Sequence, residues 1–107
     1  MRVLLTGGTG FFGKSILDYA ARHGTGWGEL VILARHPEEF AARYPDLAGV
    51  GGVEFLKGDV RDFGFPAKTF DAVIHAAAPA RADVPDAEME SIIVDGTRRV
   101  LDFAKVC

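Results

Sequence analysis

The sequence predicts an α/β fold, a doubly wound parallel sheet with helices on both faces. Three observations predict it. Apolar runs such as Val3-Leu4-Leu5, Leu30-Val31-Ile32-Leu33 and Ala72-Val73-Ile74 recur along the chain, separated by segments with helical spacing of their apolar residues. The runs are continuous rather than alternating, which suits strands buried on both faces, and strict strand–helix alternation calls for parallel pairing. Finally, Thr6-Gly7-Gly8-Thr9-Gly10-Phe11-Phe12-Gly13 forms a glycine-lined corner between the first run and the first helix.

Taken in order, residues 2–6 read as a buried strand and residues 11–23 as a helix, with Phe12, Ile16, Leu17 and Ala20 at core-facing spacing. Gly24-Thr25-Gly26-Trp27-Gly28 breaks that helix. Residues 29–34 form the second strand, which His36-Pro37 stops; Pro37 opens a short helix to about Tyr44. Gly49-Val50-Gly51-Gly52 is a turn, and residues 53–57 are the third strand, ending at Gly58-Asp59. Residues 70–76 are the fourth strand. Residues 86–105 are a long final helix, with Met89, Ile92 or Ile93, Gly96, Val100 and Phe103 or Ala104 on one face. A glycine inside a helix costs ~1 kcal/mol relative to alanine, so Gly96 predicts close packing on a neighbour. Right-handed crossovers give the strand order 3-2-1-4. The sheet is then incomplete, with the fourth strand on an open apolar edge, and such an edge invites self-association.

Each glycine of the corner has its own mechanical reason. Gly7 lets the chain turn sharply off the strand, Gly10 lets a diphosphate approach the backbone, and Gly13 lets the helix pack closely on the strand. The N–H groups of Phe11 and Phe12 fall in the first helical turn, lack intrahelical partners, and face an anion with the helix dipole behind them. The corner therefore predicts a dinucleotide site. Gly8-Thr9-Gly10-Phe11-Phe12-Gly13-Lys14-Ser15 also meets the Gly-x-x-x-x-Gly-Lys-Ser frame of phosphate-loop hydrolases. That reading needs a magnesium-holding acid at a later strand end, and His75-Ala76-Ala77-Ala78 supplies none.

The end of the second strand chooses the cofactor. A carboxylate there takes the ribose hydroxyls of NAD, whereas an arginine accommodates a 2′-phosphate. The chain reads Leu33-Ala34-Arg35-His36, with no acid; Ala34 leaves room and Arg35 supplies a planar permanent cation. NADP is favoured, with NAD the alternative. His36 reads as a solvated loop histidine.

Composition sets the broad class. The 107 residues suit one small domain or part of a larger one, and 49% hydrophobic content is enough for a packed core. A net charge of −3 argues against nucleic acid and anionic membrane as partners. Cys107 is the only cysteine, so no intrachain disulfide can form, which suits a cytoplasmic setting. No apolar run approaches membrane-spanning length, and the N-terminus reaches its glycines before a signal-peptide core can form.

The corner resembles the Thr-Gly-x-x-Gly-x-x-Gly signature of extended short-chain dehydrogenases/reductases, and more narrowly the NAD-dependent epimerase/dehydratase family. Gly58-Asp59-Val60-Arg61-Asp62 is similar to that family's stretch after the third strand. His75-Ala76-Ala77-Ala78 resembles its fourth-strand ending, and Val94-Asp95-Gly96-Thr97 through Leu101 and Ala104 its following helix. The resemblance implies a Rossmann-like fold with Asp59 meeting the adenine amine and Val60 beside it. It also implies that the slim strand end Ala76, Ala77 and Ala78 lies against the cofactor. His75 is expected to be structural, its ring bonded locally.

Two departures bear on catalysis. Ile93 stands where the family commonly has asparagine, and no Tyr-x-x-x-Lys exists: Tyr19 is followed four residues on by His23 and Tyr44 by Ala48. No catalytic or metal-binding residue is assigned. The expectation is the N-terminal, cofactor-binding part of a nucleotide-sugar epimerase/dehydratase-type oxidoreductase, residues 1–107, inactive alone and lacking its substrate domain. The alternative is a stand-alone, non-catalytic dinucleotide-binding or redox-sensing module.

Overall fold

The computed structural model describes residues 1–7, 11–76 and 85–106, and of Phe11 and Phe12 the backbone only. Strand β1 is Arg2–Thr6, helix α1 Phe11–His23, and strand β2 Glu29–Ala34. Helices α2, Pro37–Arg43, and α3, Pro45–Ala48, precede strand β3, Val53–Lys57. Strand β4 is Ala72–His75 and helix α4 is Asp86–Val106. The four strands form one sheet in the order β3-β2-β1-β4, all neighbours parallel. The doubly wound topology and strand order are those expected.

The two faces of the sheet carry separate apolar clusters, as alternation along each strand dictates. Val3, Leu5, Leu30 and Ile32 pack with Leu17 of α1 and Phe40 of α2 on one face. Leu4, Val31 and Leu33 pack with Ile92, Val100 and Phe103 of α4, and with Val60, Phe63 and Phe70, on the other. Phe103 gathers the rings of Phe63, Phe65 and Phe70 at centroid distances of 5.9, 5.2 and 5.4 Å.

The structure refines several sequence expectations. Only β1 and β2 are buried along their length; β3 and β4 hold only half-buried and exposed residues, because each is an edge strand with a neighbour on one side only. β4 is shorter than residues 70–76. Phe70 turns into the core, and Asp71 uses its carboxylate to accept the Arg2 amide at 2.7 Å, which ends the ladder. Helix α3 was not anticipated. Pro45 restarts the helix one residue after α2 stops, and Tyr44 joins the two. On α4 the inward choice falls on Ile92 and Phe103, leaving Ile93 and Ala104 exposed. Gly96 packs as predicted: a Cβ there would lie 2.8 Å from Cγ1 of Val60. Among the described residues no helix is long and apolar enough to cross a membrane.

Candidate functional site

Parallel strands bring all their C-terminal ends to one edge of the sheet. Thr6 pairs with Leu33 on one side and His75 on the other, and Ala34 pairs with Lys57. The next residues continue this row. Gly58 donates its amide to Ala34 O at 2.9 Å, and Ala76 donates to Thr6 O at 3.2 Å. By this register Gly7, Ala34, Lys57 and Ala76 form one row across the four strand ends, about 14 Å in all at ordinary strand spacing, with Arg35 one residue and Asp59 two residues beyond it. The order 3-2-1-4 reverses direction between β1 and β4, and that reversal opens a crevice above their ends where doubly wound sheets take ligands.

β1 leads into this crevice through Gly7, whose φ of +78° is the left-handed conformation that side chains disfavour. Helix α1 then starts at Phe11, so the amides of Phe11 and Phe12, which have no acceptor within the helix, lie at its positive end. Its first turn holds no acidic side chain to compete with an anion. Gly13 is buried, as helix–sheet packing requires. Gly10, Ala77 and Ala78 lie outside the described residues.

Lys14, the residue on which the phosphate-loop frame depends, is engaged elsewhere. Its Nζ is 3.4 Å from the Tyr44 hydroxyl and 5.0 Å from the ring centroid. Tyr19 stacks on His23 at 4.4 Å, beyond the middle of α1 and so about 12 Å along the helix from its start.

At the β2 end, Arg35 and His36 are both exposed, the first free to meet a ligand and the second solvated as expected. Arg35 is close enough to Asp59 for its charge to lower that carboxyl. The larger cause is Arg61, whose Nε and Nη2 lie 3.0 and 2.8 Å from the two Asp59 oxygens and hold the carboxyl below the usual carboxylate range. Val60 turns its side chain into the core against Gly96, so its backbone is the part that faces outward.

His75 closes the β4 side. Its Nδ1 is 2.7 Å from Thr6 Oγ1 and its Nε2 is 3.1 Å from Thr97 Oγ1, so the ring ties β1, β4 and α4 together. Thr6 Oγ1 also accepts the Ala76 amide at 3.1 Å. Half-buried among these groups, the imidazole is pushed by desolvation below the usual histidine range. Both ring nitrogens are thus engaged with threonine hydroxyls, the local bonding expected of His75.

Sequence reasoning placed Thr6, Arg61 and Thr97 within its motifs but missed their contacts: Thr6 and Thr97 clasp His75, and Arg61 holds Asp59. Arg61 is two residues from Asp59 and was within reach of a closer reading. Thr97 is 22 residues from His75, and no periodicity links them.

The model of the NAD dependent epimerase/dehydratase family matches residues 3–107. No curated protein sequence matches the chain. Among solved structures, a thiolation-reductase di-domain from an archaeal non-ribosomal peptide synthetase is 25% identical, with a TM-score of 0.78 over 99% of this chain and 32% of that one. Pen from Bacillus thuringiensis is 26% identical, with a TM-score of 0.74 over 96% of this chain and 34% of that one. UDP-glucuronic acid 4-epimerase from Bacillus cereus, in complex with UDP-glucuronic acid and NAD, shares the fold at 17% identity. Its TM-score is 0.77 over all of this chain and 37% of its own. The chain spans about a third of the length of these structures.

Proposed function

Since this chain belongs to the NAD dependent epimerase/dehydratase family, we propose that it holds a nicotinamide dinucleotide across its strand ends, with NADP preferred over NAD. The observation that carries this reading is the row of strand ends. A left-handed glycine and the start of a helix with no acid in its first turn stand at the point of strand reversal, with an exposed arginine and an ionised aspartate near them. The diphosphate meets the Phe11 and Phe12 amides, the adenine amine meets Asp59, and Arg35 meets a 2′-phosphate. His75 keeps the β4 end closed against β1, so that Ala76 can lie against the cofactor. The nicotinamide, when bound, supplies hydride transfer; these residues bind and orient it.

The parent activity we propose is oxidoreduction on a nucleotide-linked sugar, as in an epimerase or dehydratase. The substrate-binding part and the proton-transferring residues lie outside this chain. The 107 residues alone bind cofactor and do not turn over substrate, and they act in the cytoplasm. A reductase is the second reading. It is favoured by Arg35 and by the 25% identity to the archaeal thiolation-reductase di-domain. The β4 edge, unpaired on its outer side among the described residues, supports self-association through that strand.

Titration with NADPH, NADH and magnesium-ATP tests the site. NADPH is expected to bind most tightly, and Arg35→Ala is expected to weaken NADPH by ~10-fold or more while changing NADH little, since one charge-assisted contact is removed. Equal losses for both would remove Arg35 from 2′-phosphate recognition. Magnesium-dependent ATP binding without dinucleotide binding would replace the whole reading.

A further inference from the structure

Resting on the dinucleotide reading, we propose that Arg61 is the positioning residue for adenine recognition: it occupies three of the four acceptor sites of Asp59 and leaves a single oriented one for the adenine amine. The count follows from the geometry. Asp59 Oδ1 accepts the Arg61 backbone amide at 2.9 Å and Nε at 3.0 Å, while Oδ2 accepts Nη2 at 2.8 Å. An ionised carboxylate offers about four lone-pair sites. One remains, on Oδ2, and it can only accept.

The rest of the turn keeps this acceptor still. Asp62 donates its amide to Asp59 O at 3.1 Å, closing the turn on itself. Val60 sits against Gly96, and Phe63 is buried against Phe103. Arg99 donates from Nε and Nη2 to Phe63 O at 3.2 and 2.8 Å. On the far side of the guanidinium, Nη1 is 3.5 Å from Ser91 Oγ, which in turn donates to Asp95 Oδ2 at 3.0 Å. Helix α4 thus holds the turn and faces the arginine that holds the aspartate. A side chain fixed before the ligand arrives loses little rotamer freedom on binding.

This arrangement predicts discrimination by chemistry at one atom. The exocyclic amine of adenine donates to the remaining Oδ2 site. The 6-oxo group of hypoxanthine is an acceptor and would face a carboxylate oxygen with no proton between them. A site whose polar group is left unpaired rejects the wrong ligand strongly.

The test compares the intact protein with Arg61→Leu and Arg61→Lys. The probes are NADPH and its hypoxanthine counterpart, followed by nicotinamide fluorescence. The unaltered protein is expected to bind the adenine form ~10–100-fold more tightly, the range of a hydrogen bond to a charged group. Arg61→Leu should bring that ratio to within about 3-fold, and Arg61→Lys, which keeps the charge but loses the planar fork, should fall between. Should Arg61→Leu fail to fold, the lysine variant supplies the test, its ratio expected below that of the unaltered protein. If both forms weaken equally in the variants, the ratio is preserved, Arg61 only supports the fold, and the proposal is overturned. An unaltered protein that binds dinucleotide without distinguishing the bases overturns it too, while leaving the dinucleotide site standing. A protein that binds neither probe removes the site and the proposal together.

Discussion

β3 and β4 hold the same position at opposite edges of one sheet, yet their compositions differ. β3 carries Glu54 and Lys57 outward, and both are paired: Lys68 Nζ is 3.0 Å from Glu54 Oε2 and Lys57 Nζ is 3.5 Å from Glu38 Oε1. Its inward Phe55 meets the Phe40 ring at 5.7 Å, so the helices on that face reach out to the edge. β4 reads Ala-Val-Ile-His and has no carboxylate, lysine or arginine. Val73 packs toward α4, but Ile74 is 46% exposed on the α1 face, where its neighbour Leu5 is fully buried. Ile93, Val94 and Leu101 of α4 are exposed as well. Charges on an edge strand deter further pairing. β3 has the sequence of an edge strand; β4 has the sequence of an inner strand in an edge position.

Removing the aromatic support beneath each edge gives the largest expected effect. Phe103→Ala should cost about 4 kcal/mol and Phe40→Ala about 3 kcal/mol in denaturant unfolding, because truncating a buried phenylalanine loses transfer energy and leaves a cavity. Among the described residues Phe103 meets three other rings and Phe40 two, which sets the order. The reverse order would show that the β3 side, not the α4 side, carries the core.

Gly96→Ala comes next. The new methyl would press on Cγ1 of β-branched Val60, and overpacking costs about 1–3 kcal/mol against about 1 kcal/mol gained in helix propensity, for a net loss near 1 kcal/mol. Thermal unfolding checks it. A more stable variant would mean that the 58–63 turn yields easily, which also bears on the rigidity of Asp59.

His75 gives the β4 side a pH dependence close to neutrality. A neutral ring donates to one threonine hydroxyl and accepts from the other, whereas a protonated ring must donate to both. Its folded pKa lies below the unfolded value of about 6.5, so the unfolded chain binds the proton first as pH falls. Stability from this group is therefore complete above about pH 7 and declines as pH falls through 6.5 toward the folded value. Unfolding measured between pH 5 and 8 should show this slope, and His75→Asn should flatten it. An unchanged slope in the variant would assign the dependence to other groups.

The smallest stability change accompanies the most direct test of the edges. Ile74→Lys should alter stability by no more than about 0.5 kcal/mol, as exposed substitutions do, while lowering any self-association seen in sedimentation. Glu54→Val with Lys57→Val should raise association by turning β3 into a second uncharged edge. Association unaffected by either change would mean that strand pairing does not drive it.

Apart from α3, the element order, the strand sequence 3-2-1-4 and the positions of Gly7, Gly13, Arg35 and Asp59 at strand and helix ends were legible in the chain itself. They follow from local rules: apolar runs make strands, glycine and proline end elements, and parallel crossovers keep one hand. The predicted closeness of Gly96 to a neighbour was legible too, since a helix tolerates glycine at a cost that packing explains. The identity of that neighbour was not, because Val60 lies 36 positions away. Nor could the choice of Ile92 over Ile93 be read, because a helix face is wider than the line that touches the sheet. Local patterning determined which residues stand at the ends of strands. Only the tertiary structure decided that the two threonines close on His75 there, because those contacts, 69 and 22 residues apart in the chain, depend on distances in space that sequence separation does not encode.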